Sequence, residues 1–239
     1  MSENAKTSAL VFGAFIFLGL FSLGYLLGNA AIKFKEYERT VTAKGLSERE
    51  YEADIVIWPI QFTQASNDLV ALYNSLESIT SEIEKFLAGK GIETSDISFS
   101  SPAVTDKSAQ QFHNNAPVEF RYTALQTVTV YSKNVQGVRK AMNTLPELGR
   151  KGIVLTGGNY ETQPEYIFTK LNAVKPEMIE EATRNARKVA QEFAADSESK
   201  LGKIKKASQG QFGINPRDNN NPQIKTIRVV STVEYYLSD

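Results

Sequence analysis

Chemistry in this chain would have to come from few side chains. Its 239 residues include one histidine, His113, and no cysteine, which removes thiolate metal sites, iron–sulfur clusters, disulfides and cysteine nucleophiles. His113 lies in the polar run Asp106 to Pro117 (DKSAQQFHNNAP), next to Asn114. It has no second imidazole for a metal and no nucleophile in a triad pattern, so a solvated loop residue is the expected role. Glu48 with Glu50, and Glu180 with Glu181, supply paired carboxylates of the kind general acid/base chemistry uses. Their places, a polar turn and a helix start, are where acids ordinarily face solvent or the positive end of a helix dipole. Asp106, Asp218 and the Asn-rich runs offer oxygen ligands to Ca²⁺ or Mg²⁺, without the spacing of an EF-hand. Gly149 to Gly158 (GRKGIVLTGG) has neither the phosphate-loop nor the dinucleotide spacing and reads as a turn and a hairpin. The expectation is a protein with no catalytic residue, no cofactor and no bound metal.

Composition points the same way. Lys plus Arg number 27 and Asp plus Glu 27, so there is no basic field to attract a polyanion, and no nucleic-acid partner is expected. Between Ala9 and Leu27, 15 of 19 residues are apolar, and the rest are Gly13, Gly19, Ser22 and Gly24. As a helix this run spans roughly 28 Å, about one hydrocarbon core. Residues 9–28 read as a transmembrane anchor through Ala9, Phe12, Phe15, Phe17, Phe21 and Leu27, with a short tail at 1–8 and a linker at 29–38. Two alternatives stay open: a signal peptide cleaved near Gly28, Asn29 and Ala30, and a core helix of a soluble protein. Lys33, Lys35 and Arg39 follow the segment while Lys6 precedes it, which by charge alone puts the C-terminal side in the cytoplasm.

Beyond the anchor the patterning is mixed. Arg39 to Gly45 and Asp54 to Thr63 read as strands joined by a polar turn around Ser47 to Glu50. In the second strand Val56, Trp58, Ile60 and Phe62 share one face, and Pro59 favours an edge or a bulge. Trp58 reads as core, with ligand stacking as its alternative. A helix over Asn67 to Ala88 carries Leu69, Leu72, Leu76, Ile79, Ile83 and Phe86 as one stripe and stops at Gly89 and Gly91. Strands at Ile97 to Thr105 and Val118 to Ser132 flank the His113 loop. A short helix at Val135 to Leu145, a hairpin of Gly152 to Asn159 with Glu161 to Thr169, a helix from Pro176 to Lys200, and strands at Ile204 to Phe212 and Ile224 to Leu237 complete the chain. The second long helix presents Ile179, Ala182, Ala186, Val189 and Phe193. The predicted class is α+β, a two-layer helix-on-antiparallel-sheet domain at 39–239 built from two pseudo-repeated ββαββ units, about 39–133 and 134–239, after one transmembrane helix. Each half holds a polar loop, and the loop residues Phe112, His113 and Asn114 in the first, and Phe212, Asn219 and Asn220 around the second (GINPRDNNNPQ), are the candidate interaction residues.

Several short motifs carry a resemblance. Val41 to Gly45 (VTAKG), Ala53-Asp54 before a hydrophobic strand, Leu87 to Ile97 (LAGKGIETSDI), Tyr122 to Val130 (YTALQTVTV) with Asn134-Val135, and Ala182 to Ala194 (ATRNARKVAQEFA) before Leu201-Gly202 occur in the order found in the SIMPL domain family. The sequence resembles that family from Arg39 to Leu237, departing from it in lacking a Pro-x-Tyr in the first polar loop. The resemblance implies a bacterial envelope protein with no catalytic residues, exported or anchored by its N-terminal hydrophobic segment, and tilts the orientation toward an inner-membrane anchor with the C-terminal domain in the periplasm, against the charge count. It also implies a homo-oligomeric, ring or channel-like assembly linked to envelope or oxidative stress. The expected function is therefore a non-catalytic, membrane-anchored oligomer. The alternative is an envelope binding module that takes a protein partner or small ligand through its polar loops.

Overall fold

The computed structural model describes residues 3–36, 39–109, 119–158 and 162–238. Helix α1 (Glu3–Glu36) is exposed along its apolar length and is long and apolar enough to cross a membrane, a test a signal sequence also passes. It continues through residues 29–36, expected as linker, because Asn29 to Lys35 contains neither Gly nor Pro to stop a helix.

The remainder is α+β, with helices packed on antiparallel sheets, and the whole chain, α1 included, clusters into two compact units. One takes in Met1–Glu48, Lys175–Gly213 and Arg228–Asp239; the other, Arg49–Val174 and Ile214–Ile227.

In the second of these units β2 (Ile55–Ser66) lies antiparallel to β5 (Tyr122–Ser132), from Val56 opposite Ser132 to Ser66 opposite Tyr122. The period of two turns Val56, Trp58, Ile60 and Phe62 into the core, Phe62 with no exposed surface. Helix α2 (Leu69–Gly89) covers them with Leu72, Leu76, Ile83, Phe86 and Leu87. It starts where the Asp68 carboxylate accepts the Ala71 amide at 2.8 Å, and Gly91 at φ 80° turns the chain away after its end. Helix α3 (Val135–Asn143), capped by Asn134 accepting from the Gly137 amide at 2.9 Å, adds Val138 and Ala141, and the short α4 (Pro146–Arg150) adds Leu148.

Several elements depart from expectation. The single strand expected at 97–105 is two, β3 (Ile97–Phe99) and β4 (Ala103–Asp106), interrupted by Ser100-Ser101-Pro102 and both paired with β5. The expected hairpin does not pair with itself: β6 (Val154–Thr156) and β7 (Glu165–Ile167) each pair with β2, at Gln61–Thr63 and Ile55–Ile57. Pro59 falls in the break between them, opposite Thr129 of β5 on its other side, so β2 holds a proline although it is not an edge strand.

In the first unit β1 (Thr40–Glu52) runs straight through the turn expected at Ser47 to Glu50. Its buried positions are small, Ala43, Gly45 and Ser47, and the Ser47 hydroxyl donates to Glu181 at 2.8 Å. Helix α5 (Leu171–Asp196) lies on them through Met178, Ala182, Ala186, Ala190 and Ala194. Along the second half the fully buried positions are Ala190 and Ala194; Val189 of the expected stripe is half-buried and packs against that core, whereas Phe193 is 57% exposed. Alanine occupies the seam because the backbones meet: a Cβ built on Gly45 overlaps the Ala182 carbonyl oxygen and the Ala186 nitrogen. The helix starts earlier than expected, so Pro176 sits inside it. The order β1, β10 (Ile224–Ser238), β8 (Lys200–Gln209) forms the sheet, and β9 (Gly213–Pro216), of which residues 214–216 belong to the other unit, pairs with β10. Strand β8 is an edge, and along it Leu201 alone is half-buried while every other residue is exposed.

Candidate functional site

The place where ligand chemistry is available follows from the alternation of β10. Gln223, Lys225, Ile227 and Val229 are all buried, so the two-residue period that fills the core with Ile227 and Val229 carries an amine and an amide into the same row at the start of the strand. Lys225 is 8% exposed and has no hydrogen-bond or ion-pair partner among the described residues. Burial holds its ammonium below the ordinary lysine range, against the attraction of Glu165. Gln223 is anchored by its main chain, whose carbonyl accepts the Ala53 amide at 2.7 Å, while its side-chain Oε1 is buried without a partner among the described residues.

Lys225 lines an open cavity of about 1050 Å³ in the second unit. Ile57 and Pro59, on the alternation of β2 opposite to its core face, form one part of the wall, with Gln163, Pro164, Glu165 and Tyr166 leading into and along β7. Pro216 ends β9, and Asp218, Asn219 and Pro222 come from the loop between β9 and β10. The break in pairing at Pro59 is thus one wall of the cavity, and a smaller space of about 160 Å³ adjoins Pro59 and Trp58. Burial raises the Tyr166 hydroxyl, opposed by Arg139, and that hydroxyl donates to Met142 Sδ at 3.7 Å.

The loop holds its shape through Asp218, whose carboxylate accepts the Asn220 and Asn221 amides at 2.9 and 2.8 Å and Arg217 Nε at 2.9 Å. The Arg217 hydrogen bond keeps the Asp218 carboxyl below the usual range, although burial works the other way. These contacts commit Asp218 to its own loop and leave Asn219 facing the cavity.

Of the expected interaction residues, Asn219 lines the cavity and Asn220 supports the loop. Phe212 belongs to the other unit, half-buried, with Lys175 Nζ 5.6 Å from its ring centre. Phe112, His113 and Asn114 lie outside the described residues. Ala9 is in α1, and Phe12, Phe15, Phe17, Phe21 and Leu27 are exposed on it, with the Phe17 and Phe21 rings stacked at 6.3 Å. No three His, Asp or Glu side chains cluster for a metal among the described residues. The sequence reading missed Lys225 although its signal was present: the face traced through Ile227 and Val229 reaches Lys225 when extended two residues back.

The model of the SIMPL family, described as a protein of unknown function (DUF541), matches residues 41–235. The chain belongs to the SIMPL family. The matched span agrees with the run of motifs from Arg39 to Leu237, and the SIMPL domain contains both compact units apart from α1 and the terminal residues. No curated protein matches the chain. Within the SIMPL domain, Lys225, the Pro59 break and the Asn219 loop make a ligand-sized site, and the outer edge of β8 has no strand partner among the described residues.

Proposed function

We propose that this SIMPL protein is a non-catalytic scaffold, held at a bacterial membrane by α1 with its domain on the extracytoplasmic side, that assembles with copies of itself and serves the envelope under stress. The observation that carries the reading is β8: an edge strand of 10 residues, exposed on both faces, presents a row of main-chain donors and acceptors to another strand. Lys200, Lys203, Lys205 and Lys206 make β8 against β8 a like-charge pairing, so the favoured contact is head-to-tail, onto the opposite edge of the sheet at β1 in the next copy. Such a heterologous contact closes into a ring when its rotation allows.

The test is the mass of the full chain in mild detergent, by light scattering or native mass spectrometry, beside a chain beginning at Ala31. A discrete oligomer from both supports assembly through the domain. A monomer from both refutes it, and an oligomer that needs the helix moves the contacts into the membrane.

The cavity around Lys225 favours a second reading, an envelope binding module that takes a small ligand beside the Asn219 loop. Its signature is ligand binding by a chain whose assembled mass does not change.

A further inference from the structure

A lysine covered along most of its length and left without a partner calls for an explanation, because partial desolvation of an ammonium is costly unless an opposite charge replaces the lost water. Lys225 is 8% exposed, pairs with no group among the described residues and lines the 1050 Å³ open cavity; its Nζ is not one of the fully enclosed unpartnered atoms, so the cavity is the side from which its ammonium is reached. Two acids share the cavity, yet neither serves it. Asp218 is held by Arg217 and by two main-chain amides, and Glu165 is exposed and acts on Lys225 only through space. The remaining wall is largely apolar and stiff, with Ile57, Pro59, Pro164, Pro216 and Pro222, so an apolar body can enter without ordering flexible side chains.

We propose that this cavity binds a monocarboxylate with an apolar body, its carboxylate paired with the Lys225 ammonium and its body laid against the prolines and Ile57. The proposal rests on the binding-module reading and names the ligand class for it. A single negative charge is specified because Glu165 and Asp218 repel a polyanion at the same walls, and a carboxylate is specified because it accepts a charge-assisted hydrogen bond from a lone ammonium. The polar ends Gln163 and Asn219 offer amide donors to the second carboxylate oxygen.

The experiment is titration of the full chain in detergent micelles with 4-phenylbutyrate, with the neutral alcohol 4-phenylbutan-1-ol and with inorganic phosphate, followed by calorimetry. Saturable binding of 4-phenylbutyrate, weakened about tenfold or more in Lys225→Met while binding of the alcohol is unchanged, is the expected result. Detergent partitioning is subtracted with micelles holding the chain truncated after residue 38. Because the substitution could alter folding, the wild-type Lys225 ammonium is also followed by nitrogen NMR: 4-phenylbutyrate should raise its titration midpoint and the alcohol should not. Equal affinity in Lys225→Met, or a midpoint indifferent to the acid, overturns the proposal. Binding of the alcohol alone overturns the carboxylate class while leaving a binding module standing. Phosphate outcompeting the acid overturns the single-charge argument.

Discussion

Gly45→Ala measures how closely α5 sits on β1. The added methyl carbon overlaps the Ala182 carbonyl oxygen and the Ala186 nitrogen, and lies 2.9 Å from Ala186 Cα. All three are helix backbone, so no side-chain rotation relieves the clash, and α5 must lift from Ala43, Gly45 and Ser47 along the row of alanines that follows them. Overpacking of this kind costs about 1–3 kcal/mol, partly offset by about 0.4–1 kcal/mol because alanine restricts the unfolded chain more than glycine does. The clash is with backbone, so the net cost is about 1–2 kcal/mol, and at about 2–4 °C per kcal/mol for a domain of this size the midpoint of thermal unfolding should fall by about 2–8 °C. Circular dichroism at 222 nm on the full chain in detergent reads it. Ala186→Gly should fail to rescue the loss, since it removes a side chain and leaves the contacted nitrogen in place. A midpoint unchanged or raised by Gly45→Ala, or restored by Ala186→Gly, would refute the close approach.

Phe62→Ala should cost about 3–5 kcal/mol by urea unfolding, since Phe62 is wholly buried, whereas Phe193→Ala should stay within about 0.5 kcal/mol. Asp106 should titrate at about 2 by carboxyl-carbon NMR, held down by the Arg121 and Ser108 hydrogen bonds, and Arg121→Gln should return it toward 3.8; its stabilising effect is present above the unfolded value and is lost as pH falls through about 2. Lys225 behaves oppositely. Its folded value lies below 10.5, so the folded state is penalised at neutral pH and relieved as pH rises toward 10.5, and the stability of wild type relative to Lys225→Met should climb over that window. A flat difference would show that the amine is not desolvated. Proline at Lys206 and at Ala207, in the regular stretch paired with Glu234 and Val233, removes in one case a donor to β10 and in the other an outward donor. The outward variant should keep its thermal midpoint and lose assembled mass; if both variants keep the oligomer, β8 is not the interface.

How far the fold could be read depended on whether one residue's surroundings were set locally. The core row Val56, Trp58, Ile60 and Phe62 and the stripe of α2 were legible because large apolar side chains recur at the period of their element. The seam of β1 and α5 was less so. Ala43, Gly45 and Ser47 carry little hydrophobic signal, so Ser47 to Glu50 read as a turn; their smallness marks instead how near the helix comes, a fact that lives on a chain segment more than a hundred residues away. The same distance problem moved the α5 stripe toward Phe193, since bulk favours Phe as a core residue until a close backbone contact excludes it. At Pro59 the sequence rule was sound but its inference was incomplete: a proline needs a missing partner, and β2 supplies one inside the sheet, between β6 and β7, where no edge exists.

The site shows why a ligand position can be written in a sequence and still pass unnoticed. A lysine is read as surface because it is almost never buried unpaired, so in a strand of alternating residues it is assigned outward even when parity sends it in. In β10 parity is the stronger constraint: the register that buries Ile227, Val229, Val233 and Tyr235 cannot turn Lys225 outward without a bulge, and the irregular steps in its pairing with β8 come later, after Glu234. The strand therefore fixes a charged group in the wall of the cavity at a cost in stability, and Asp218, the nearest acid in sequence that could cancel it, is consumed by its own loop. A fold selected for stability alone would lose little by placing Met at position 225. That lysine stands there is the physical reason to look for an anion, and the rising stability of wild type against Lys225→Met with pH decides whether the cost that motivates the search is real.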